Sequence, residues 1–93
     1  MPEHVDNYLI TPHAAYEMKR RSISEEIIRR VLSSPEQTVQ LRPGRKVMQT
    51  RIKFPDSGKI YLVRVFVDTN CDPVEVVTAY RTSKIIKYWR EKL

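Results

Sequence analysis

The sequence contains a single cysteine and only two glycines. With Cys71 alone, no disulfide can close within the chain and no thiolate cluster can hold a metal. Gly44 and Gly58 are too few for a glycine-rich nucleotide loop, and His4, His13 and Cys71 show no metal-ligand spacing. No apolar run approaches the ~20 residues that span a bilayer. Residues 1–8 (MPEHVDNY) are polar and lack the apolar core of a secretory signal. Together these absences lead us to expect a soluble, cytoplasmic protein with no cofactor, no metal and no membrane partner. Acidic residues are also in deficit, 11 against 17 Lys and Arg, which gives a formal net charge of +6. Such a surplus favours an acidic partner, nucleic acid before an anionic membrane surface.

What is present suffices for one small core. A chain of 93 residues with 41% hydrophobic content reads as a single domain over residues 1–93. After a polar lead-in, Thr11-Pro12 has the form of an N-cap followed by proline at the first helical position, where its missing N–H costs nothing. This predicts a helix over residues 12–21, with Ala14, Ala15 and Met18 on a modest apolar face and His13, Tyr16 and Arg20 on the neighbouring stripe. Ser24 opens a second helix with Glu25 and Glu26 in its first turn, where the dipole favours negative charge. Its stripe of Ile27, Ile28, Val31 and Leu32 needs an apolar partner.

The rest of the chain supplies that partner as a sheet. Residues 38–41 form a short strand, and 46–54 alternate, with Met48, Ile52 and Phe54 facing one way and Gln49, Arg51 and Lys53 the other. Turn clusters at 42–45, 55–58 and 69–73 separate these from strands at 59–68 and 74–80. The 59–68 strand is apolar on both faces apart from Arg64, which marks it as central. The expected fold class is α+β: two N-terminal helices packed on one face of a three- to four-stranded antiparallel sheet, then a short C-terminal helix.

The joint between the last strand and that helix, Arg81-Thr82-Ser83-Lys84, suits an anion. Thr82 or Ser83 could cap the helix, whose N-terminus offers orphan N–H groups and a positive dipole end between two cations.

Several strings here resemble one small prokaryotic family. They are Ile10-Thr11-Pro12-His13-Ala14, Met18-Lys19-Arg20-Arg21, Ile23-Ser24-Glu25-Glu26-Ile27, Arg42-Pro43-Gly44-Arg45, the 61–67 strand and Val77-Thr78-Ala79-Tyr80-Arg81-Thr82-Ser83-Lys84. Together they make the chain similar, over about residues 9–89, to DUF4258-like domains. These domains are grouped with the RelE/ParE-like toxins and the wider barnase, colicin and RelE ribonuclease superfamily. The resemblance implies helices on one face of an antiparallel sheet and an RNA-cleaving site on the other. For a toxin it also implies an acidic antitoxin as partner and RNA, with or without the ribosome, as target.

Metal-free RNA cleavage requires a base for the 2′-hydroxyl proton, an acid for the leaving oxygen and cations for the phosphate. His13 is the candidate base or acid, since the first helical turn disfavours imidazolium. The plain alternative is a helix-start residue bonded to a loop carbonyl. Arg51, Arg64 and Arg81 are the candidate phosphate stabilisers, the planar guanidinium fork matching phosphate oxygens. Tyr80 would donate a proton or stack a base. Arg20, Lys53, Thr78, Thr82, Ser83 and Lys84 complete the expected RNA- and phosphate-binding set. The function expected is therefore a metal-independent endoribonuclease, or a non-catalytic module binding RNA or protein through the same basic surface. A third reading is a DNA-binding protein, suggested by the consecutive helices. The discriminating observation is whether His13 and the arginines meet in one cleft.

Overall fold

The computed structural model describes residues 4–91. Its elements follow the order β1 (Tyr8–Ile10), α1 (Pro12–Arg20), α2 (Glu25–Ser33), β2 (Gln37–Arg42), β3 (Arg45–Lys53), β4 (Ile60–Asp68), β5 (Val74–Thr82) and α3 (Ile85–Tyr88). Both long helices begin as their capping residues dictate. The Thr11 hydroxyl accepts from the Ala14 N–H at 3.1 Å and the Ser24 hydroxyl from the Ile27 N–H at 3.2 Å. Each cap satisfies one of the orphan donors of a first turn.

The five strands form one sheet in the order β1-β5-β4-β3-β2. Neighbours from β2 to β5 are antiparallel, as short turns between them require. The β2–β3 turn depends on Gly44, at φ +85°, where an added Cβ would lie 2.8 Å from the Asn70 amide nitrogen.

The α+β class and the two helices on one face stand, but three features depart from expectation. The sheet has five strands, because residues 8–10, read as a lead-in, pair in parallel with β5 at Tyr8–Val74 and Ile10–Val76. The long intervening chain makes this parallel geometry reachable, since α1 and α2 carry it to β2 at the opposite edge and the antiparallel strands β2 to β5 then return it to β1. Second, β5 runs on to Thr82, and α3 shrinks to four residues. Third, the C-terminal segment crosses the sheet face opposite α1 and α2.

The core lies between the helices and one sheet face. Ala14, Met18, Ile28, Val31 and Leu32 pack there with Met48, Ile52, Val63, Val65, Val67, Val76 and Ala79. Val76 and Ala79 share that face although they are three residues apart. The reason is a bulge: Val67 pairs with Val76 but Phe66 with Thr78, which leaves Val77 as the extra residue that resets the alternation.

Candidate functional site

On the face turned away from α1 and α2, the strand register assembles a single polar row. Gln37 of β2 pairs with Gln49 of β3, Gln49 with Arg64 of β4, and Arg64 with Tyr80 of β5. Strand alternation points all four side chains to one side. They are also joined along the row: Gln49 Nε2 donates to Gln37 Oε1 at 2.8 Å, Arg64 Nε to Gln49 Oε1 at 2.9 Å, and Arg64 Nη1 to the Tyr80 hydroxyl at 2.8 Å.

The C-terminal segment lies over this row and is fastened to it through its own backbone. Gln49 Nε2 donates to the Tyr88 carbonyl at 3.1 Å, and Gln37 Nε2 to the Arg90 carbonyl at 2.6 Å. Gln37 Oε1 in turn accepts from the Arg90 N–H at 3.0 Å. A glutamine side chain suits this task, since one amide offers donors and an acceptor together. Gln49 is consequently 0% exposed and Arg64 only 9%.

Burying a guanidinium is costly unless its charge is met. Among the described residues Arg64 makes no ion pair. What surrounds it instead is aromatic: its guanidinium carbon lies 4.5 Å from the centre of the Tyr88 ring, 5.5 Å from Phe66 and 5.8 Å from Tyr80. Phe66 and Tyr80 are stacked, and Tyr88 meets Tyr80 edge-on. Ring faces are negative, and they stabilise a weakly hydrated guanidinium that has left water. The Tyr88 phenol is held below its ordinary range, chiefly by hydrogen bonding with the Tyr80 hydroxyl and then by the Lys87 charge, against an opposing effect of burial. Arg64, Lys87, Tyr88, Trp89 and Arg90 line a recess of about 190 Å³.

The structure brings some sequence-predicted site residues together and separates others. Arg51, Lys53, Arg64, Thr78, Tyr80 and Thr82 share the face with the polar row, as alternation implied. Arg51, however, is already engaged. Its guanidinium makes a forked pair with Glu36 at 3.1 and 2.8 Å and stacks 4.2 Å from the Trp89 ring centre. This pairing holds the Glu36 carboxyl below its usual range, first through the Arg51 side-chain hydrogen bond.

His13 is exposed on α1, on the helix-bearing side of the sheet, whereas Arg51 and Arg64 are on the other side. The two do not meet in one cleft. Arg20 is on the same helix, paired with Glu17 at 2.8 Å. Arg81 is also on the helix side. The register places it beside Val63, a core residue, and it pairs with Asp56 at 2.9 Å while stacking on Phe54 and Tyr61. The expected anion site at the helix start does not form either. Neither Thr82 nor Ser83 caps α3, and the Thr82 hydroxyl accepts from the Lys84 N–H at 3.1 Å within a local turn. Ser83 and Lys84 instead border an open groove shared with Arg51, Ile60, Ile85, Ile86 and Lys87. The apolar stripe of α2 faces the sheet, with Ile28, Val31 and Leu32 buried, so it is not presented to a DNA groove.

Sequence reasoning did not select Gln37, Tyr88, Lys87 and Arg90. A signal existed for Gln37 in retrospect: an amide at the head of one strand, paired with Gln49 in the next, needs partners when it is buried.

The fold and this face define a class: an α+β domain whose sheet carries its helices on one side and a cationic, aromatic-lined recess on the other. Residues 10–87 match the family described as domain of unknown function DUF4258, and the chain belongs to that family. No curated protein and no solved structure matches it. Among the described residues there is no helix long and apolar enough to cross a membrane, and no group of three His, Cys, Asp or Glu placed to hold a metal.

Proposed function

We propose that this protein binds single-stranded RNA on the sheet face away from its helices, using the C-terminal segment as part of the surface. One observation carries the reading: three cations that make no ion pair among the described residues, Arg64, Lys87 and Arg90, converge on one recess with Tyr88 and Trp89. Cations that track phosphates combined with rings that stack bases are the elements of single-strand recognition. Duplexes fit less well, because among the described residues no unpartnered helix is available to enter a groove. Lys53 and Lys84, both exposed and near the same face, extend the basic track. The net charge of +6 supports an anionic partner in general, and an acidic protein could compete for the same surface.

The test is a salt titration of the affinity for an unstructured oligoribonucleotide. If four phosphates are engaged, affinity falls roughly 50-fold between 50 and 200 mM salt, as counterion release from a single strand requires. Lys87→Ala combined with Arg90→Ala lowers both the affinity and the slope. An affinity indifferent to salt, or no binding at low salt, refutes the reading.

A second reading, metal-independent cleavage of the RNA in the manner of the RelE-like toxins, is favoured by the lowered Tyr88 phenol beside Arg64. Here Tyr88 takes the 2′-hydroxyl proton, and the 2′-oxygen bonds to phosphorus as the bond to the 5′-oxygen breaks. That leaving oxygen takes its proton from solvent water, and Arg64 stabilises the crowded phosphate, with no part for His13. On this reading an acidic antitoxin is the expected protein partner. Tyr88→Phe abolishes cleavage while retaining binding; cleavage that survives the change refutes it.

A further inference from the structure

The Arg64 recess has a shape and charge more particular than a track for a polyanion. We infer that it takes a phosphomonoester, the terminal phosphate of an RNA strand or of a nucleotide, and does not take an internal phosphodiester. The inference relies on the RNA-binding reading above for the origin of the ligand and stands against the cleavage reading, which needs an internal phosphate at Arg64; the recess itself supplies the chemistry.

Arg64 is the floor of the site. Among the described residues only its Nε and Nη1 bond to protein, both to neutral acceptors, and every fully buried side-chain nitrogen or oxygen there has a partner. Nη2, without a partner among the described residues, is therefore the part of the guanidinium that reaches the opening. A guanidinium has five N–H donors in a fixed fork, so the outer edge remains for an anion. Lys87 and Arg90, exposed and making no ion pair among the described residues, flank that edge.

Size and charge then select the group. A recess of about 190 Å³ lies below the roughly 300–1,000 Å³ of pockets that enclose a drug-sized molecule. It is nevertheless several times the ~30 Å³ share of one water. One phosphoryl group fits within it and a nucleoside does not. An internal diester continues as chain on both sides, so it cannot descend to a guanidinium that is 9% exposed without bending its neighbours in as well. A terminal phosphate enters end-on. It also carries about −1.5 to −2 charges at neutral pH, against −1 for a diester, and so meets three cations better. Tyr88 and Trp89 on the rim are placed to stack the attached terminal base.

The experiment compares, with the full chain, oligoribonucleotides of one sequence bearing a 5′-phosphate, a 3′-phosphate or hydroxyls at both ends, alongside adenosine monophosphate and inorganic phosphate. A phosphorylated end is expected to bind about tenfold tighter than its hydroxyl-ended twin, the scale of one further charge-assisted hydrogen bond. The Lys87→Ala/Arg90→Ala variant alters only exposed side chains, and it should erase that preference while its circular dichroism stays unchanged. Mononucleotide and oligonucleotide affinities then distinguish the source: similar values assign the site to nucleotides, and tighter oligonucleotide binding assigns it to RNA ends. Equal affinity for phosphorylated and hydroxyl-ended strands overturns the inference and leaves the RNA reading in place. Binding of the monophosphate without binding of any strand upholds the recess and removes the RNA reading. Binding of none of these probes overturns both. A preference that persists in the double variant overturns the assignment to this recess.

Discussion

Replacing Gln49 by leucine isolates the energetic role of the polar row. The two side chains are close in volume, so the change removes hydrogen bonding with little cavity. Three contacts disappear: the donations from Gln49 to Gln37 and to the Tyr88 carbonyl, and the acceptance from Arg64 Nε. Gln37 Oε1 keeps the Arg90 N–H, and the Tyr88 carbonyl sits on a segment able to reach water, so those two losses are modest. The Arg64 Nε–H keeps no acceptor. Bonds involving a charged partner contribute about 1.5–3 kcal/mol and neutral ones about 0.5–1.5, so after some offset from apolar burial the variant should lose about 2–4 kcal/mol. That is a visible fraction of the roughly 5–15 kcal/mol that holds a domain together. Urea denaturation followed by far-ultraviolet circular dichroism reads the loss as a lower midpoint at constant slope. Trp89 is the only tryptophan, and its fluorescence reports whether the C-terminal segment detaches. In the variant that signal should change before the sheet melts. A stability loss below about 0.5 kcal/mol, within the range of an ordinary surface change, would refute the reasoning.

Further expectations concern the other face and the rim. Ile28→Ala, at a site with 0% exposure, should cost about 2–5 kcal/mol in the same denaturation assay. His13→Ala should change stability by less than about 0.5 kcal/mol and leave RNA affinity as it was, measured by anisotropy, because His13 is exposed and on the opposite side. The Arg45–Asp68 pair, forked at 2.6 and 2.9 Å, holds the Asp68 carboxyl below its ordinary range, mainly through its side-chain hydrogen bond. A carboxyl whose pKa is lowered by folding stabilises the fold fully above the unfolded value, and that contribution is lost as the pH falls through the lowered one. Asp68→Asn should therefore lower stability at neutral and alkaline pH and flatten its fall below the usual carboxylate range, so that variant and parent converge in acid.

The helices and the strands β2 to β5 were legible because each rests on local rules. Thr11-Pro12 and Ser24-Glu25-Glu26 announce helix starts, and the alternations of 46–54 and 59–68 assign Arg51 to the face away from Met48 and Arg64 to the face away from Val65. Residues 8–10 were not legible as a strand. Three apolar residues carry no period, and their partner in β5 lies more than sixty positions away. The candidate site was half visible. Arg64 stands out in an apolar strand and Tyr80 was among the candidates, yet their adjacency, like the part played by Gln37 and Gln49, emerges only when register aligns the strands. Arg81 illustrates the opposite difficulty. It was grouped with Arg51 and Arg64 by residue type, but the bulge at Val77 shifts the alternation of β5, and Arg81 emerges on the helix side next to Asp56. His13 was attractive as a histidine in a first turn, a chemical argument that contains no information about which side of the sheet α1 covers.

The C-terminal segment is tied down by its main chain at Tyr88 and Arg90, through amides that belong to the sheet. Attachment and chemistry are thereby uncoupled. A clamp that grips carbonyls is indifferent to the side chain at position 90 or to those at 86 and 87, which face outward. Substituting an acidic or apolar residue for Lys87 or Arg90 would change what the recess accepts without loosening the segment that forms its wall. The domain thus behaves as a frame with an interchangeable rim, in which ligand preference can be rewritten over a few positions while the fold beneath is left alone.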